Sequence, residues 1–338
     1  MKKVNVLALT LGEHTPSSRF RIRKLIPELS NYGIGVDEIY AKFGSHPPAG
    51  FINRLYWLPK TLMNSLERVN KANNYDICFL QKPLVSTLIT FEPLIKPPFV
   101  FDVDDAIHLG KRGWAMDKIA KKASHVICGN DFLAEHYQQF SDVTILPTAV
   151  DTDYFIPSTQ FYSELIVGWS GSSSGFKYLY QIEAQLVVVL KRFPTLKIKI
   201  VSNEAPKFTL IDPARIIYEK WTSATEVKAI QNFSVGLMPL DDNLWERGKC
   251  SYKMLTYMAV GVPVVVSNVG MNKTVMSHGQ CGHLVSNADD WIDSISELLM
   301  SQTLRCTMGK VGRSTVCEHY SNKVLVPKLA QLMVNLKS

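Results

Sequence analysis

The chain has no Cys-x-x-Cys pair and no cysteines at metal-ligand spacing, although it carries six, at positions 78, 128, 250, 281, 306 and 317. A zinc ribbon and a dithiol redox motif are both excluded. Cys78, Cys128 and Cys281 lie in or beside apolar runs, where buried free thiols are expected. No apolar run approaches the ~20 residues of a membrane-spanning helix. Lys2 and Lys3 precede only a strand-length apolar segment, 4–9, rather than the core of a signal peptide. A reduced, cytoplasmic setting is expected, with the inner face of a membrane as the alternative station. Gly-x-Gly-x-x-Gly and the P-loop Gly-Lys-Ser/Thr are missing, which speaks against a standard dinucleotide site and a P-loop NTPase. Low-complexity tracts and sequence repeats are also lacking. The net charge of +7 is not gathered in one region: residues 1–155 hold 18 Lys+Arg and 16 Asp+Glu, the remainder 19 and 14. That balance suits an anionic small molecule or peripheral attachment to an anionic membrane, and supplies no basic face for nucleic acid.

What is present is an alternation. Apolar runs of strand length at 4–10, 36–41, 77–81, 99–103, 125–128 and 143–147 in the first half are matched by 165–169, 197–202, 215–219, 235–239, 263–267 and 282–285 in the second. Amphipathic stretches separate them, among them 18–32, 53–72, 114–122, 176–193, 223–232, 287–300 and 302–319. Strands separated by helices make parallel sheets. Two sets of six predict an α/β protein with two doubly wound, Rossmann-like domains facing a central cleft, and are too many for an eight-fold barrel. The turn-forming sequence near 151–163 marks the boundary. The expected domains are 1–155 and 156–320, with a C-terminal helix, 321–338, that can cross back to the first.

Chemistry-bearing residues collect at the ends of these strands. Gly12 follows the first strand, where a ligand can approach the backbone. Arg19, Arg21, Arg23 and Lys24 then crowd the start of a helix that Ser17 or Ser18 can cap. Positive charge there opposes the helix dipole, so either an anionic ligand or neighbouring carboxylates must answer it. The fourth strand ends in Asp102-Val103-Asp104-Asp105, followed by His108, a candidate acid, base or hydroxyl partner. The Asp-Val-Asp spacing is also compatible with a divalent metal. Gly129-Asn130-Asp131 forms a turn and helix cap. In the second half, Gly168-Trp169-Ser170-Gly171-Ser172-Ser173-Ser174-Gly175 with Lys177 can hold phosphate through backbone amides and hydroxyls, or serve as a surface turn. The segment 245–270, WERGKCSYKMLTYMAVGVPVVVSNVG, places Arg247, Gly248 and Lys249 before a helix expected from about Cys250 to Val260, a natural anion site.

Together these residues resemble the nucleotide-sugar site of family-4-type glycosyltransferases of the two-Rossmann-domain GT-B fold. The resemblance is carried by 238–266 and, in the same order along the chain, by PSSRFRIRKLIPEL (16–29), FDVDDAIH (101–108), and ICGNDFLAEHY with LPTAVDTDYF (127–155). It implies a retaining, metal-independent sugar transfer from a nucleoside diphosphate donor to a glycan or lipid-linked hydroxyl acceptor, in cell-surface polysaccharide or glycolipid assembly. No tightly bound cofactor is implied. Asp104, Asp105, His108 and Lys249 would be catalytic. Gly12, Gly171, Ser172, Lys177, Glu246, Arg247, Gly248, Lys249, Cys250, Ser251, Lys253 and Thr256 would serve the donor, and Arg19, Arg21 and Asn130 the acceptor or cleft. The family commonly has two glutamates eight positions apart; here Gly248 and Thr256 stand in their places, which leaves Thr256 or a displaced Glu246 for the ribose hydroxyls.

No Ser/His/Asp or Cys/His set marks a protein nucleophile. The leaving phosphate of a retaining enzyme can itself take the acceptor's proton, and cations with helix amides can stabilise the departing diphosphate. Three other readings share features of the sequence. These are a metal-dependent transferase built on Asp102 and Asp104, a nucleotide-sugar epimerase on the same fold, and a non-catalytic two-lobed solute-binding protein.

Overall fold

The computed structural model describes residues 3–13, 15–86, 88–160 and 163–337. Among these residues the β-branched and aromatic runs form twelve strands. The first six are β1 (Val4–Thr10), β2 (Ile34–Tyr40), β3 (Ile77–Gln81), β4 (Phe99–Val103), β5 (His125–Cys128) and β6 (Val143–Ile145). They pair in parallel in the order β2-β1-β3-β4-β5-β6. The other six are β7 (Ile166–Ser170), β8 (Lys197–Ser202), β9 (Ile216–Lys220), β10 (Val235–Met238), β11 (Val264–Ser267) and β12 (Gly282–Val285), in the order β12-β11-β10-β7-β8-β9. Every residue of β3, β4, β7 and β10 is buried. Both faces of a parallel sheet are covered by helices, so continuous apolar runs rather than alternating ones are required.

The chain divides into two compact units. The first comprises Met1–Ala149, Arg247–Cys250 and Asn322–Ser338, the second Val150–Glu246 and Ser251–Ser321. In the first, successive residues of β1 point to opposite cores. Leu7 and Leu9 join Leu80, Phe101 and Tyr137 on one face, while Val6 and Ala8 join Phe79, Ile127, Leu329 and Met333 on the other. The helix Asn322–Lys337 thus completes the second face. Its ends are pinned by Asn322 Nδ2 to Glu28 Oε1 (2.6 Å) and Lys337 Nζ to Asp76 Oδ2 (2.7 Å). The second unit has its own core around Trp169, Leu179, Ile200, Leu237 and Trp291.

The unit boundaries differ from the expected 1–155, 156–320 and 321–338 in two ways. Residues 150–155 pack with the second unit, because Phe155 is fully buried and Arg313 donates to the carbonyls of Thr152 and Phe155. Residues 247–250 count with the first unit although they lie inside the second in sequence. Local departures also have causes. The stretch 18–32 is not one helix but a helix Pro16–Arg21, a 3₁₀ turn Arg23–Leu25 and a helix Ile26–Ser30. Pro27 has no N–H to give the Arg23 carbonyl, so the helix restarts with proline in its first turn. The expected helix from Cys250 spans Tyr252–Ala259 instead, since Ser251 adopts a left-handed φ of 50°. Gly261, at φ 78°, ends that segment as expected.

Strand order reverses between β1 and β3 in the first sheet and between β7 and β10 in the second. In open α/β sheets the carboxyl ends of strands at such points hold ligands. Among the described residues no helix is long and apolar enough to cross a membrane.

Candidate functional site

At the carboxyl end of the first sheet a network of charge is buried. Arg21 Nε lies 3.1 Å from Asp102 Oδ2, and its Nη2 lies 2.5 Å from Oδ1. Its remaining Nη1 donates to the Leu146 carbonyl at 2.7 Å. Burial works against the guanidinium charge, but Asp102 outweighs it and raises the Arg21 pKa. Arg21 was expected to serve the acceptor or the cleft; its fork is consumed inside the protein, and the pair locks the end of β4. Arg23 is likewise answered by Glu38, at 2.6 Å. Arg19 is half-buried, with its guanidinium 4.2 Å from the Phe20 ring centroid. The helix begins at Pro16 with no side-chain cap, so Ser17 and Ser18 lie within it. Ser18 Oγ accepts from the Leu11 amide at 3.2 Å and donates to Gln81 Oε1 at 3.0 Å. Gly12, partly exposed, would bring a Cβ only against Thr15 Oγ1, at 3.0 Å.

Asp104 and Asp105 share one cation, Lys82, which the sequence reading passed over. Its Nζ lies 2.8 Å from Asp104 Oδ1 and 2.6 Å from Asp105 Oδ2. Lys82 has a left-handed φ of 62° immediately after β3, a conformation that non-glycine residues hold only where the surroundings demand it. Its position at a strand end was the signal that could have identified it. Burial lowers the Lys82 pKa, but Asp104 and Asp105 outweigh this and raise it. Burial pushes Asp104 up, while Lys82 and Arg21 together hold it below its ordinary value.

His108 stacks on His136 with ring centroids 3.9 Å apart, and Tyr137 meets its edge. His136 in turn pairs with Asp117 at 2.8 Å. His108 Nδ1 is buried without a hydrogen-bond partner. Burial, with His136 adding to it, lowers the His108 pKa to about 4. The ring is therefore neutral near pH 7, suited to exchanging hydrogen bonds with a hydroxyl rather than carrying charge.

Asn130 caps the helix Asp131–Tyr137 through Oδ1 and turns its amide to the carbonyls of Arg247 (3.1 Å) and Lys249 (3.0 Å). Cys250 Sγ donates to the Asp104 carbonyl at 3.2 Å. A Cβ on Gly248 would stand 2.6 Å from Ala106 Cβ, and one on Gly129 would stand 2.1 Å from Cys250 Sγ. The segment 247–250 is therefore built into the first unit at atomic contact, leaving Arg247 exposed and Lys249 half-buried.

The second unit carries another constellation. Gly171 follows β7, and a Cβ there would stand 2.4 Å from Lys253 Cε. Lys253 Nζ lies 5.7 Å from the Trp169 ring centroid, within reach of a cation–π contact. The Tyr257 hydroxyl accepts from the Ser170 amide at 2.8 Å, tying the end of β7 to the same helix. Ser172 Oγ lies 2.8 Å from Ser174 Oγ, and Asn203 clamps Ser173 by its amide and hydroxyl. Lys177 is exposed above the Tyr178 ring. Tyr178 donates to Glu246; its pKa is raised, by burial first and then by that bond. Glu246 is buried. Ser251 Oγ donates to Asn272 Oδ1 at 2.7 Å. Thr256 Oγ1 is buried and donates to the Lys253 carbonyl at 2.8 Å, so its hydrogen is spent within its own helix. The structure thus gathers Gly171, Lys253 and Trp169, and separately Tyr178 and Glu246. Among the described residues no group of three or more His, Cys, Asp or Glu side chains is arranged to hold a metal ion.

Comparison with known proteins follows the same division. Residues 165–301 match the family model described as glycosyl transferases group 1. No curated protein matches the sequence. Sucrose-phosphate synthase from Thermosynechococcus elongatus superposes with TM-score 0.73 at 16% identity, covering 98% of this chain and 99% of that one. Anabaena HepE, solved with UDP and glucose, gives 0.71 at 13% identity over 98% of this chain and 100% of its own. A glycosyltransferase from Rickettsia africae gives 0.70 at 12% identity over 99% of both. The fold is that of the GT-B glycosyltransferases, two Rossmann-like domains each with a six-stranded parallel sheet.

Proposed function

We propose that this chain, with a group 1 glycosyltransferase domain over 165–301 in a GT-B fold, moves a sugar from a nucleoside diphosphate to a hydroxyl acceptor with retention of configuration. The observation that carries the reading lies inside the matched domain. Lys253 is held over Trp169 at the first turn of the helix Tyr252–Ala259, in space that Gly171 leaves open. A cation at the start of a helix beside a strand end is what a diphosphate requires. Ser172 and Lys177 follow that strand end in the chain. Arg247 and Lys249, just upstream of Lys253 in the chain, add positive charge.

The leaving diphosphate is stabilised by these cations and the start of the helix. As the bond from the anomeric carbon to the phosphate oxygen breaks, the bond to the acceptor oxygen forms on the same face. The departing phosphate oxygen takes the acceptor's proton, so no protein nucleophile is needed. In the first unit, Asp104 and Asp105, both paired with Lys82, and the neutral His108 orient hydroxyls of the acceptor. Both carboxylates are already matched by a lysine, which favours a reaction without a metal; undiminished turnover in EDTA is expected. A glycan or lipid-linked acceptor in cell-surface assembly fits this chemistry.

The test is a thermal-shift screen of nucleoside diphosphates and their sugars, beginning with UDP. Ligand at about 100 times its Kd stabilises by ~2.7 kcal/mol, so one base should stand out; no shift with any would overturn the reading. Lys249→Ala should lose most of kcat with the fold intact, and unchanged turnover would remove Lys249 from the mechanism.

A further inference from the structure

The long helix Phe51–Ala72 is amphipathic in the wrong sense for a surface helix. Its core-facing side is largely polar: Thr61, Asn64, Ser65 and Arg68 are buried, with Arg68 donating to the carbonyls of Thr10 and Ile39. The opposite side repeats Ile52, Tyr56, Pro59, Met63 and Leu66 at alternating steps of four and three residues, all exposed. Helices normally turn such a stripe inward. The effect is strongest in the first turns, where Phe51 is 76% exposed, Ile52 69% and Tyr56 71%. Contiguous apolar surface of this kind marks a contact with a partner or a membrane.

Charge decides which. Between Glu38 and Glu67 the chain has no acidic residue, while Lys42, Arg54 and Lys60 are all basic. An apolar aromatic face whose first four turns have only cations beside them, Glu67 coming after, suits the boundary of an anionic bilayer, where acyl chains receive the apolar side chains and headgroups receive the lysine and arginine. A second copy of the chain fits less well. The exposed apolar arc includes Phe51, Leu55 and Leu58 and is wider than a two-helix seam. Pairing would also set Arg54 and Lys60 against their own copies. We propose that the first four turns of the helix Phe51–Ala72 lie on an anionic lipid surface and dock the first unit there. The proposal is independent of the donor reading, since binding to lipid requires no sugar transfer.

The test is co-sedimentation of the full chain with vesicles of phosphatidylglycerol and phosphatidylcholine in equal parts, against vesicles of phosphatidylcholine alone. Binding to the anionic vesicles only is expected. The double variant Ile52→Ser/Tyr56→Ser should lose that binding. Arg54→Ser and Lys60→Ser should each weaken it about fivefold, the value of one basic residue at such a surface, and Arg54→Lys should retain it. All these side chains are exposed, so the melting temperature should stay at the wild-type value. Failure to sediment with anionic vesicles, or undiminished sedimentation of the double variant, would overturn the proposal. So would a wild-type dimer in sedimentation equilibrium that the double variant dissolves while vesicles go unbound, because the stripe would then belong to a second copy.

Discussion

Lys82 is the residue on which the acidic cluster of the first unit depends. Its ammonium group pairs with both Asp104 and Asp105 at salt-bridge distance in nearly buried surroundings. Removing one partner of such a pair leaves an uncompensated charge and costs about 3–5 kcal/mol when the site is fully buried. Asp105 keeps some contact with solvent, so Lys82→Met should destabilise by about 2–3 kcal/mol in urea denaturation. The sign of the pH effect follows from Asp104, whose folded pKa is depressed. Its contribution is present above the unfolded value and is lost as pH falls through the folded one. Lys82→Met should remove that acid-range dependence, and Lys82→Met/Asp105→Asn should regain part of the stability. An unaltered denaturation midpoint would show that the pair contributes nothing. His108 acts in the same direction for a different reason. Its folded pKa is about 4 against an ordinary 6.5, so the unfolded chain takes up the proton first and stability declines between those values as pH falls. His108→Asn should flatten the slope in that window, by on the order of 1 kcal/mol after allowing for partial exposure. Parallel wild-type and variant stability curves across the window would refute the assignment.

At the scale of elements, the segment Arg247–Cys250 illustrates what could and could not be read from the chain. The strands were legible because parallel strands buried on both faces leave continuous apolar runs, and β4, with Asp104 and Asp105 just beyond its end, stood out for that reason. The cationic segment was legible as an anion site because glycine and basic residues precede a helix. Its docking was not legible: Asn130 lies 117 and 119 residues from the two carbonyls it holds, and no local pattern encodes such a contact. Arg21 misled for the same reason, since Asp102, which consumes its charge, lies 81 residues away. Gly248 was read as a missing acid, whereas its place against Ala106 leaves no room for a side chain. Gly248→Ala should therefore displace the segment that carries Arg247 and Lys249. A misplacement of about 1 Å can cost on the order of 10²-fold in rate, so kcat should fall by that order with only a modest loss of stability. Wild-type kcat in Gly248→Ala would show that the position of the segment is immaterial to transfer.

On the scale of the whole molecule, each unit owns a core, and the helix Asn322–Lys337 completes that of the first. Leu329 is buried in the helix Asn322–Lys337 beside Val6, Ala8 and Phe79. The second unit's core shares no residue with that cluster. Calorimetry should accordingly resolve two transitions. Leu329→Asp places an unpaired charge in the first core and should destabilise that unit by at least 4 kcal/mol, lowering one transition and sparing the other. The nucleotide provides the complementary lever, because the proposed diphosphate groups Gly171, Ser172 and Lys253 lie in the second unit. The nucleotide selected by the thermal screen should raise the transition that Leu329→Asp leaves untouched. Hydrogen exchange should report that protection in peptides from 165–301, the matched glycosyltransferase domain. A nucleotide that raised only the transition lowered by Leu329→Asp would place the donor on the first unit and overturn the assignment of Lys253. Both perturbations moving one shared transition would instead establish that the two cores unfold as a single cooperative body.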